Sequence, residues 1–182
     1  MRRISAPFWE VRPATFLTGE VGLFATVPIG PGTELIPNEL FEEDWTPWNQ
    51  IDLGPEPEEM KQFLAKWCYS DDEGCWLPQD FNRLPIYSLL NHSCEPNIGF
   101  SASDGWMALR SIQTGEELFM DFSLTGLSNG FEMSCRCGTA SCRGVIRSTD
   151  WQDPEFARLH LASFPTYYRE KVACFHGFHL PA

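Results

Sequence analysis

One short segment of the chain carries an unusual density of groups that can bind a ligand or a metal. Residues 91–97 read NHSCEPN and contain an amide, an imidazole, a thiol and a carboxylate beside a rigid proline. Further along, a C-x-C-x4-C pattern supplies three more thiols, those of Cys135, Cys137 and Cys142. Structural zinc is almost always held by four ligands in a tetrahedron, so three thiolates leave one position to fill. We expect Cys94 to fill it, which would tie the 91–97 segment to the later cysteines.

The cysteine count also bears on the redox environment. Seven cysteines, an odd number, in a reducing compartment indicate metal ligation or buried thiols rather than a disulfide framework. The alternative for the four clustered cysteines is a set of buried apolar thiols without a metal. Cys68, Cys75 and Cys174 have no ligand spacing, and we expect them to be structural.

Length and hydrophobicity limit the class of protein. A chain of 182 residues with 43% hydrophobic residues can bury one sizeable core in a single domain. No apolar run approaches the about 20 residues that a membrane span requires, which predicts no membrane contact. The amino terminus lacks the apolar stretch of a secretory signal, so we expect an intracellular protein, in the cytoplasm or the nucleus.

The formal net charge of −12 makes direct nucleic-acid binding an unfavourable hypothesis, because phosphate contacts need a basic patch. A basic protein or peptide is the better expected partner. Eight acidic residues lie between 38 and 60 without any Lys or Arg, namely Glu39, Glu42, Glu43, Asp44, Asp52, Glu56, Glu58 and Glu59. The alternative is that this run is only a solvated loop that keeps the protein soluble.

Short apolar runs separated by turn residues predict a β-rich fold. The strands are expected at 22–29, 34–36, 97–102, 106–110 and 117–122. Asp104 and Gly105 favour a tight hairpin, because both residue types tolerate a positive φ. Residues 70–85 are expected to be irregular.

Two regions carry helix signals. Residues 57–68 begin with a proline, have glutamates in the first turn, and space apolar residues as a helix requires. The apolar residues are Met60, Phe63, Leu64 and Trp67, and we expect them to pack in the core. A second helix should begin in the carboxyl-terminal region with Asp153 as N-cap and Pro154 in the first turn.

Taken in order, these motifs resemble a known family. NHSCEPN, GEELFMDF at 115–122 and the C-x-C-G-x4-C-R-G segment resemble the SET domain with its zinc-binding post-SET segment. The earlier GLFAT and PGTELI stretches are similar to two strands of the same family. The resemblance implies a mainly β fold with short helices, in which several small twisted sheets surround a knot-like crossing. It divides the chain into a SET domain at 1–130, a post-SET segment at 131–146 and a helical extension at 147–182.

The resemblance also implies an activity. SET proteins of this type use S-adenosylmethionine to methylate a lysine in a basic protein segment, and the post-SET segment holds zinc. The positions that correspond to cofactor-binding residues of the family are Val21, Gly22, Leu23, Leu89, Asn91, His92 and Arg136. Arg136 would lie near the adenine. For His92 the alternative is a buried imidazole with internal partners only.

The part of the site where the methyl group would be transferred, here called the reaction end, departs from the family pattern. Phe122 stands where the family has a tyrosine whose hydroxyl orients the transfer. Tyr87 is a candidate for a replacement hydroxyl, as are Tyr167 and Tyr168. Met120 lies where the family controls the number of methyl groups added, and its alternative role is core filling. Two further hypotheses stay open, a binding module without catalysis and an enzyme with a small-molecule or other non-lysine acceptor.

Overall fold

The fold is known from a computed structural model, which describes residues 8–38, 43–83, 86–125 and 130–180. Its largest sheet has five strands in the order β3-β8-β7-β9-β6. These strands are β3 (Glu34–Ile36), β6 (Asn91–His92), β7 (Ile98–Phe100), β8 (Trp106–Ala108) and β9 (Phe119–Met120). The fold class expected from the sequence, mainly β with short helices and several small sheets, is confirmed.

The position of β9 explains the expected crossing. β6 and β7 follow each other in the chain, yet β9 lies between them and runs parallel to both. A later strand is therefore inserted between two earlier ones, an arrangement that few folds adopt. It places the NHSCEPN segment directly beside the residues that follow Met120.

Three two-stranded antiparallel sheets surround this one. They pair β1 (Trp9–Pro13) with β2 (Val21–Ala25), β4 (Glu43–Pro47) with β5 (Gly74–Pro78), and β10 (Glu132–Ser134) with β11 (Val145–Arg147). The expectation that residues 70–85 are irregular is wrong, since β5 lies there. Its sequence, GCWLP, ends in proline and has no alternation of polar and apolar residues, so β4 across the sheet decides the strand.

The strands are shorter than the sequence predicts. The expected strand at 117–122 is regular only at Phe119–Met120, because a 3-10 turn begins at Phe122. The Asp121 side chain accepts a hydrogen bond from the amide of Ser123 and caps that turn. Between β7 and β8, Asp104 has a φ of 62°, as the predicted hairpin requires.

Helix α1 (Pro57–Trp67) agrees with the prediction, including its proline and its glutamates in the first turn. Its apolar stripe is only partly a core contact. Leu64 is buried, whereas Met60 and Phe63 are 40% and 45% exposed. The ring of Phe63 packs against Phe81, with centroids 5.4 Å apart.

The carboxyl-terminal region contains α2 (Pro154–His160) and α3 (Thr166–His176). Asp153 caps α2 by accepting from the amides of Glu155 and Phe156, as predicted. A 3-10 turn at Leu161–Ser163 separates the two helices, and Pro165 is the N-cap of α3. Residues of both helices form a second small core with residues outside them. This core consists of Leu124, Trp151, Ala157, Phe164, Tyr168 and Val172. The domain limits at 130/131 and 146/147 stay predictions.

The main core lies under the five-stranded sheet and includes Leu23, Ile98, Trp106, Leu118 and Met120. Within the described ranges, none of the helices combines the length and the apolar character that crossing a bilayer demands.

The hairpin turn also fixes the start of α3. Asp104 Oδ1 accepts a hydrogen bond of 2.6 Å from the amide of Thr166, one of the first-turn donors that a helix leaves without an internal partner. A carboxylate at this end is also favoured by the helix dipole.

We predict that Asp104→Ala lowers the free energy of unfolding by about 2–3 kcal/mol, because it loses a capping acceptor, worth about 1 kcal/mol, and places alanine at a positive φ, which costs about 1–2 kcal/mol. Asp104→Asn is the matched control, since it keeps an acceptor and tolerates a positive φ, and it should lose less than about 0.5 kcal/mol. Urea unfolding of the three proteins measures the difference. Equal stability of Asp104→Ala and the wild type would contradict the prediction.

Candidate active site

The four predicted zinc ligands come together in the structure. The sulfurs of Cys94, Cys135, Cys137 and Cys142 lie within 4.8 Å of one another. Cys135 Sγ is 3.8 Å from Cys94 Sγ and 3.6 Å from Cys142 Sγ. Four sulfurs at about 2.3 Å from a tetrahedral zinc ion are about 3.8 Å apart, so the donor set fits zinc in chemistry and in spacing. That an ion binds here stays a prediction.

The loop between the ligands is shaped by Gly138. Its φ of 71° lies in the left-handed region that glycine enters without steric cost, and this turn brings Cys142 back toward Cys135. Ile146, fully buried, packs against the cluster. Burial raises the pKa of Cys94 to about 11, so binding of a metal has to displace its proton. Of the other cysteines, Cys68 and Cys75 pack with Leu64, and Cys174 is exposed.

Two nitrogen atoms of the protein lie within hydrogen-bond distance of Cys94 Sγ. The amide of Arg143 donates to it over 3.4 Å, and His92 Nε2 lies 3.5 Å away. On the other side of the ring, His92 Nδ1 accepts a 3.1 Å hydrogen bond from the amide of Phe122. Burial lowers the pKa of His92 to about 4, so the imidazole is neutral at neutral pH. Both ring nitrogens of His92 therefore have partners inside the protein. A role of this residue in cofactor binding stays a prediction.

A buried ion pair lies next to this imidazole. Asp121 is fully buried, and Arg143 binds it with two parallel contacts, Nη1 to Oδ2 at 2.6 Å and Nη2 to Oδ1 at 2.7 Å. The guanidinium also donates to Ser123 Oγ at 3.0 Å and lies 4.7 Å from the ring centroid of Phe156. Sequence reasoning did not identify this pair. The available signal was the position of Asp121 within the apolar run LFMDF. An acid in such a run is expected to be buried, and a buried carboxylate needs a partner.

A large cleft of about 1120 Å³ opens beside the cysteine cluster. Its wall includes the predicted residues Val21, Leu89, Asn91, His92, Phe122 and Arg136. Three of the predicted site residues are not on the wall of the cleft. Leu23 and Met120 are buried in the main core, which for Met120 corresponds to the core-filling alternative. Gly22 is buried behind Asn91 and Glu117.

The tyrosines are distributed differently from the expectation. Tyr87 belongs to the 3-10 turn Ile86–Leu89, and its side chain lies outside the described part of the structure. Tyr168 packs on Trp151 and Phe164 in the second core, and Tyr167 is partly exposed on α3. Neither belongs to the described wall of the cleft. Among the side chains that the structure describes, Tyr69 is the tyrosine on the cleft wall.

Glu117 organises the end of the cleft near β2. It is buried, and its carboxylate accepts from Asn91 Nδ2 at 2.9 Å and from the amide of Thr15 at 2.7 Å. Asn91 Nδ2 also donates to the carbonyl of Val21 at 2.9 Å. A Cβ on Gly22 would lie 2.1 Å from Glu117 Oε1, so only glycine fits beneath the carboxylate. Glu117 was missed, although it alternates with the buried Leu118 and Met120 in a predicted strand.

The chemical character of the cleft is acidic and aromatic. Its described wall contains six carboxylates and two permanent cations, and the cations are Lys61 and Arg136. The carboxylates belong to Glu20, Glu58, Asp71, Asp72, Glu117 and Glu132. The aromatic side chains are Phe16, Trp48, Trp67, Tyr69, Phe119, Phe122 and Phe131. Such a surface favours a cation that also carries apolar atoms.

Comparison with known proteins gives the same family as the motifs. The family model of the SET domain matches residues 20–123, more than half of the 182 residues. This range contains Cys94 and ends before the three later cysteines.

Individual relatives match over shorter stretches. Histone-lysine N-methyltransferase ash1 of Drosophila melanogaster is 39% identical over 64 residues, which cover 31% of this chain and 3% of that protein. Two Arabidopsis thaliana proteins are similar as well. Histone-lysine N-methyltransferase ATX2 is 32% identical over 82 residues, or 41% of this chain and 7% of the relative. Histone-lysine N-methyltransferase ASHH2 is 30% identical over 67 residues, which cover 31% of this chain and 4% of that protein. The matches thus cover less than a tenth of each relative.

We predict that the purified protein contains about one zinc ion per chain and that Cys94→Ser releases it, because three thiolates leave the tetrahedron incomplete. Cys174→Ser, an exposed cysteine outside the cluster, is the control and should keep the metal. Elemental analysis after preparation under reducing conditions measures both. A folded, zinc-free wild type that takes up no zinc from solution would contradict the prediction.

Proposed function

Because the chain belongs to the SET domain family, we propose that it transfers a methyl group from S-adenosylmethionine to a lysine side chain in a basic protein segment. One observation carries the proposal. A single cleft is lined by the residues that correspond to the cofactor site and to the reaction end of the family, Asn91 and Val21 among the former and Phe122 among the latter.

The cofactor would be held at the end of the cleft near β2 and the cysteine cluster. The volume of the cleft is sufficient, since sites for ligands of this size occupy about 300–1,000 Å³. Three groups are available to its adenosine part, namely Asn91, the backbone of His92 and the exposed side chain of Arg136. The exposed Val21 would contact its methionine part, while Gly22 leaves room for the Glu117 carboxylate that holds Asn91 in place. When bound, the cofactor supplies an electrophilic methyl group on a positively charged sulfur.

The chain's own contribution is to present lysine as a neutral amine. At a pKa of about 10.4, lysine is neutral in about one molecule in a thousand near pH 7, which costs about 4 kcal/mol. Aromatic side chains such as Phe122, Tyr69 and Trp67 displace water from the ammonium and so favour the neutral form. The remaining rate enhancement would come from alignment of the amine with the methyl group in the cleft.

The acidic wall supports a basic partner. Glu58, Asp71 and Asp72 lie on the part of the cleft formed by α1 and the turn before β5. Their field would attract a segment rich in lysine and arginine and raise its association rate. The relatives are named for histone lysines, and histones belong to this class of basic substrate. An intracellular location, in the cytoplasm or nucleus, goes with the proposal because a thiolate zinc site needs reduced cysteines.

A specific observation favours a second candidate, a binding module that has lost catalysis. Phe122 brings a ring without a hydroxyl to the cleft. Loss of one preorganised hydrogen-bond donor reduces catalytic rates by about a hundred- to a thousandfold. A protein of this kind would still bind the cofactor and hold the basic segment.

The activity is tested by incubation with labelled S-adenosylmethionine and basic proteins such as histones, where we expect a labelled protein band. Phe122→Tyr should raise the rate, by up to about a hundred- to a thousandfold, because it restores the hydroxyl. Phe119→Tyr adds a hydroxyl at another position of the cleft and should not raise the rate.

The outcomes separate the candidates. Cofactor binding without label in the wild type or in Phe122→Tyr would favour the binding module. Label on small molecules in place of proteins would favour a different acceptor.

We also predict that Asp72→Asn weakens binding of a lysine-rich peptide severalfold, because the cleft loses one negative charge. The effect should shrink as salt rises and screens the charge. Glu170→Gln changes the net charge equally from an exposed position on α3, outside the cleft wall, and should have little effect. Equal weakening by both variants, measured by fluorescence titration, would mean that the net charge and not the cleft attracts the peptide.

A further inference from the structure

The contacts around Cys94 form a closed ring that reaches the cleft. One route runs from Cys94 Sγ to His92 Nε2, at 3.5 Å, and from His92 Nδ1 to the amide of Phe122, at 3.1 Å. The other route runs through Arg143. Its backbone amide is 3.4 Å from Cys94 Sγ, and its guanidinium binds Asp121 at 2.6 Å and 2.7 Å. Asp121 and Phe122 are neighbours in the chain, so the two routes meet.

The amide of Phe122 decides which nitrogen of His92 carries the proton. An N–H group can only donate, so Nδ1 must accept and cannot itself carry a hydrogen. The neutral ring then has its hydrogen on Nε2, and this N–H is directed at Cys94 Sγ. The sulfur of Cys94 is therefore an acceptor in this contact.

An acceptor sulfur is much stronger as a metal-bound thiolate than as a thiol. Hydrogen bonds to ionised acceptors are about twice as strong as those between neutral groups. Groups that donate to metal ligands also fix the geometry of those ligands. A thiol, by contrast, carries its own hydrogen and competes for the same space.

We propose that His92 is a positioning residue that couples metal binding at Cys94 to the backbone of Phe122 at the reaction end of the cleft. With metal bound, the thiolate holds Nε2–H, the ring is fixed, and Nδ1 holds the amide of Phe122. Without metal, the ring loses one of its two anchors and the amide is held less firmly. The inference rests on metal binding by the four cysteines and is independent of methyl transfer.

Two variants of His92 separate its two contacts. The end of an asparagine side chain corresponds to Nδ1, so His92→Asn can keep the contact with the Phe122 amide but cannot reach Cys94 Sγ. The end of a glutamine side chain corresponds to Nε2, so His92→Gln can donate to the sulfur but loses the Nδ1 contact. Cobalt(II) in place of zinc makes the thiolate environment visible, and residue-resolved hydrogen exchange reports on the amide.

We expect the thiolate-to-cobalt charge-transfer band to move to lower energy in His92→Asn and to stay near the wild-type position in His92→Gln. The Phe122 amide should exchange about tenfold faster in His92→Gln and nearly as in the wild type in His92→Asn. A purely structural role of His92 would shift both readouts together in both variants.

The coupling itself is measured on the wild type by removal of the metal with a chelator. The amide of Leu118, which donates to the Leu23 carbonyl in the core over 2.7 Å, is the reference. We expect exchange at Phe122 to increase about tenfold relative to Leu118, and no such relative change in His92→Asn.

An unchanged ratio of the two amides in the wild type, or a cobalt spectrum that is the same in all three proteins, would overturn the inference. A failed methylation assay with the expected spectral shift would remove the proposed activity and leave the coupling intact. Active methyl transfer with an unchanged spectrum would do the reverse.

Discussion

The contact on which the site most depends is the pairing of Asp121 with Arg143. A carboxylate without any exposed surface is stable only with a charged partner and further hydrogen bonds, and Asp121 has both. Arg143 follows Cys142, one of the four predicted zinc ligands, and also contacts Phe156 in α2. One ion pair therefore joins the end of the central sheet, the cysteine segment and the carboxyl-terminal helices. Removal of one partner of such a buried pair costs about 3–5 kcal/mol, because the other charge stays buried alone.

A second buried carboxylate has a corresponding role on the wall of the cleft near β2. Glu117 binds the side chain of Asn91 and the amide of Thr15, and it lies directly over Gly22. Glu117 precedes β9 by two residues and Asp121 follows it directly, and both acids hold segments that are distant in sequence. The inserted strand is thus flanked by two buried acids that fix the residues around the cleft.

The cleft combines firmly held residues with a charged wall, and the proposed basic substrate would use both. Buried hydrogen bonds fix Asn91 and the backbone of Phe122, whereas the wall formed by α1 and the turn before β5 presents carboxylates and aromatic rings toward the cleft. Exposed charges act over a distance but are screened by solvent, so they guide a partner without fixing its position. In the proposed reaction, the aromatic residues of the cleft wall would supply the apolar surroundings in which the amine loses its proton.

The amino-acid sequence by itself determined the local features and the family. The cysteine spacing predicted four ligands that the structure brings together, and the prolines and capping residues predicted where α1 and α2 begin. These features depend on neighbours within a few residues, which the sequence displays directly. Tertiary structure decided the rest. Asp121 meets Arg143, Asn91 meets Val21, and β5 forms on β4, and contacts across 20 to 70 positions leave no periodic signal in the sequence. The insertion of β9 beside β6 places the ring of His92 between Cys94 and the backbone of Phe122, since a buried imidazole must find partners for both nitrogens wherever the fold supplies them.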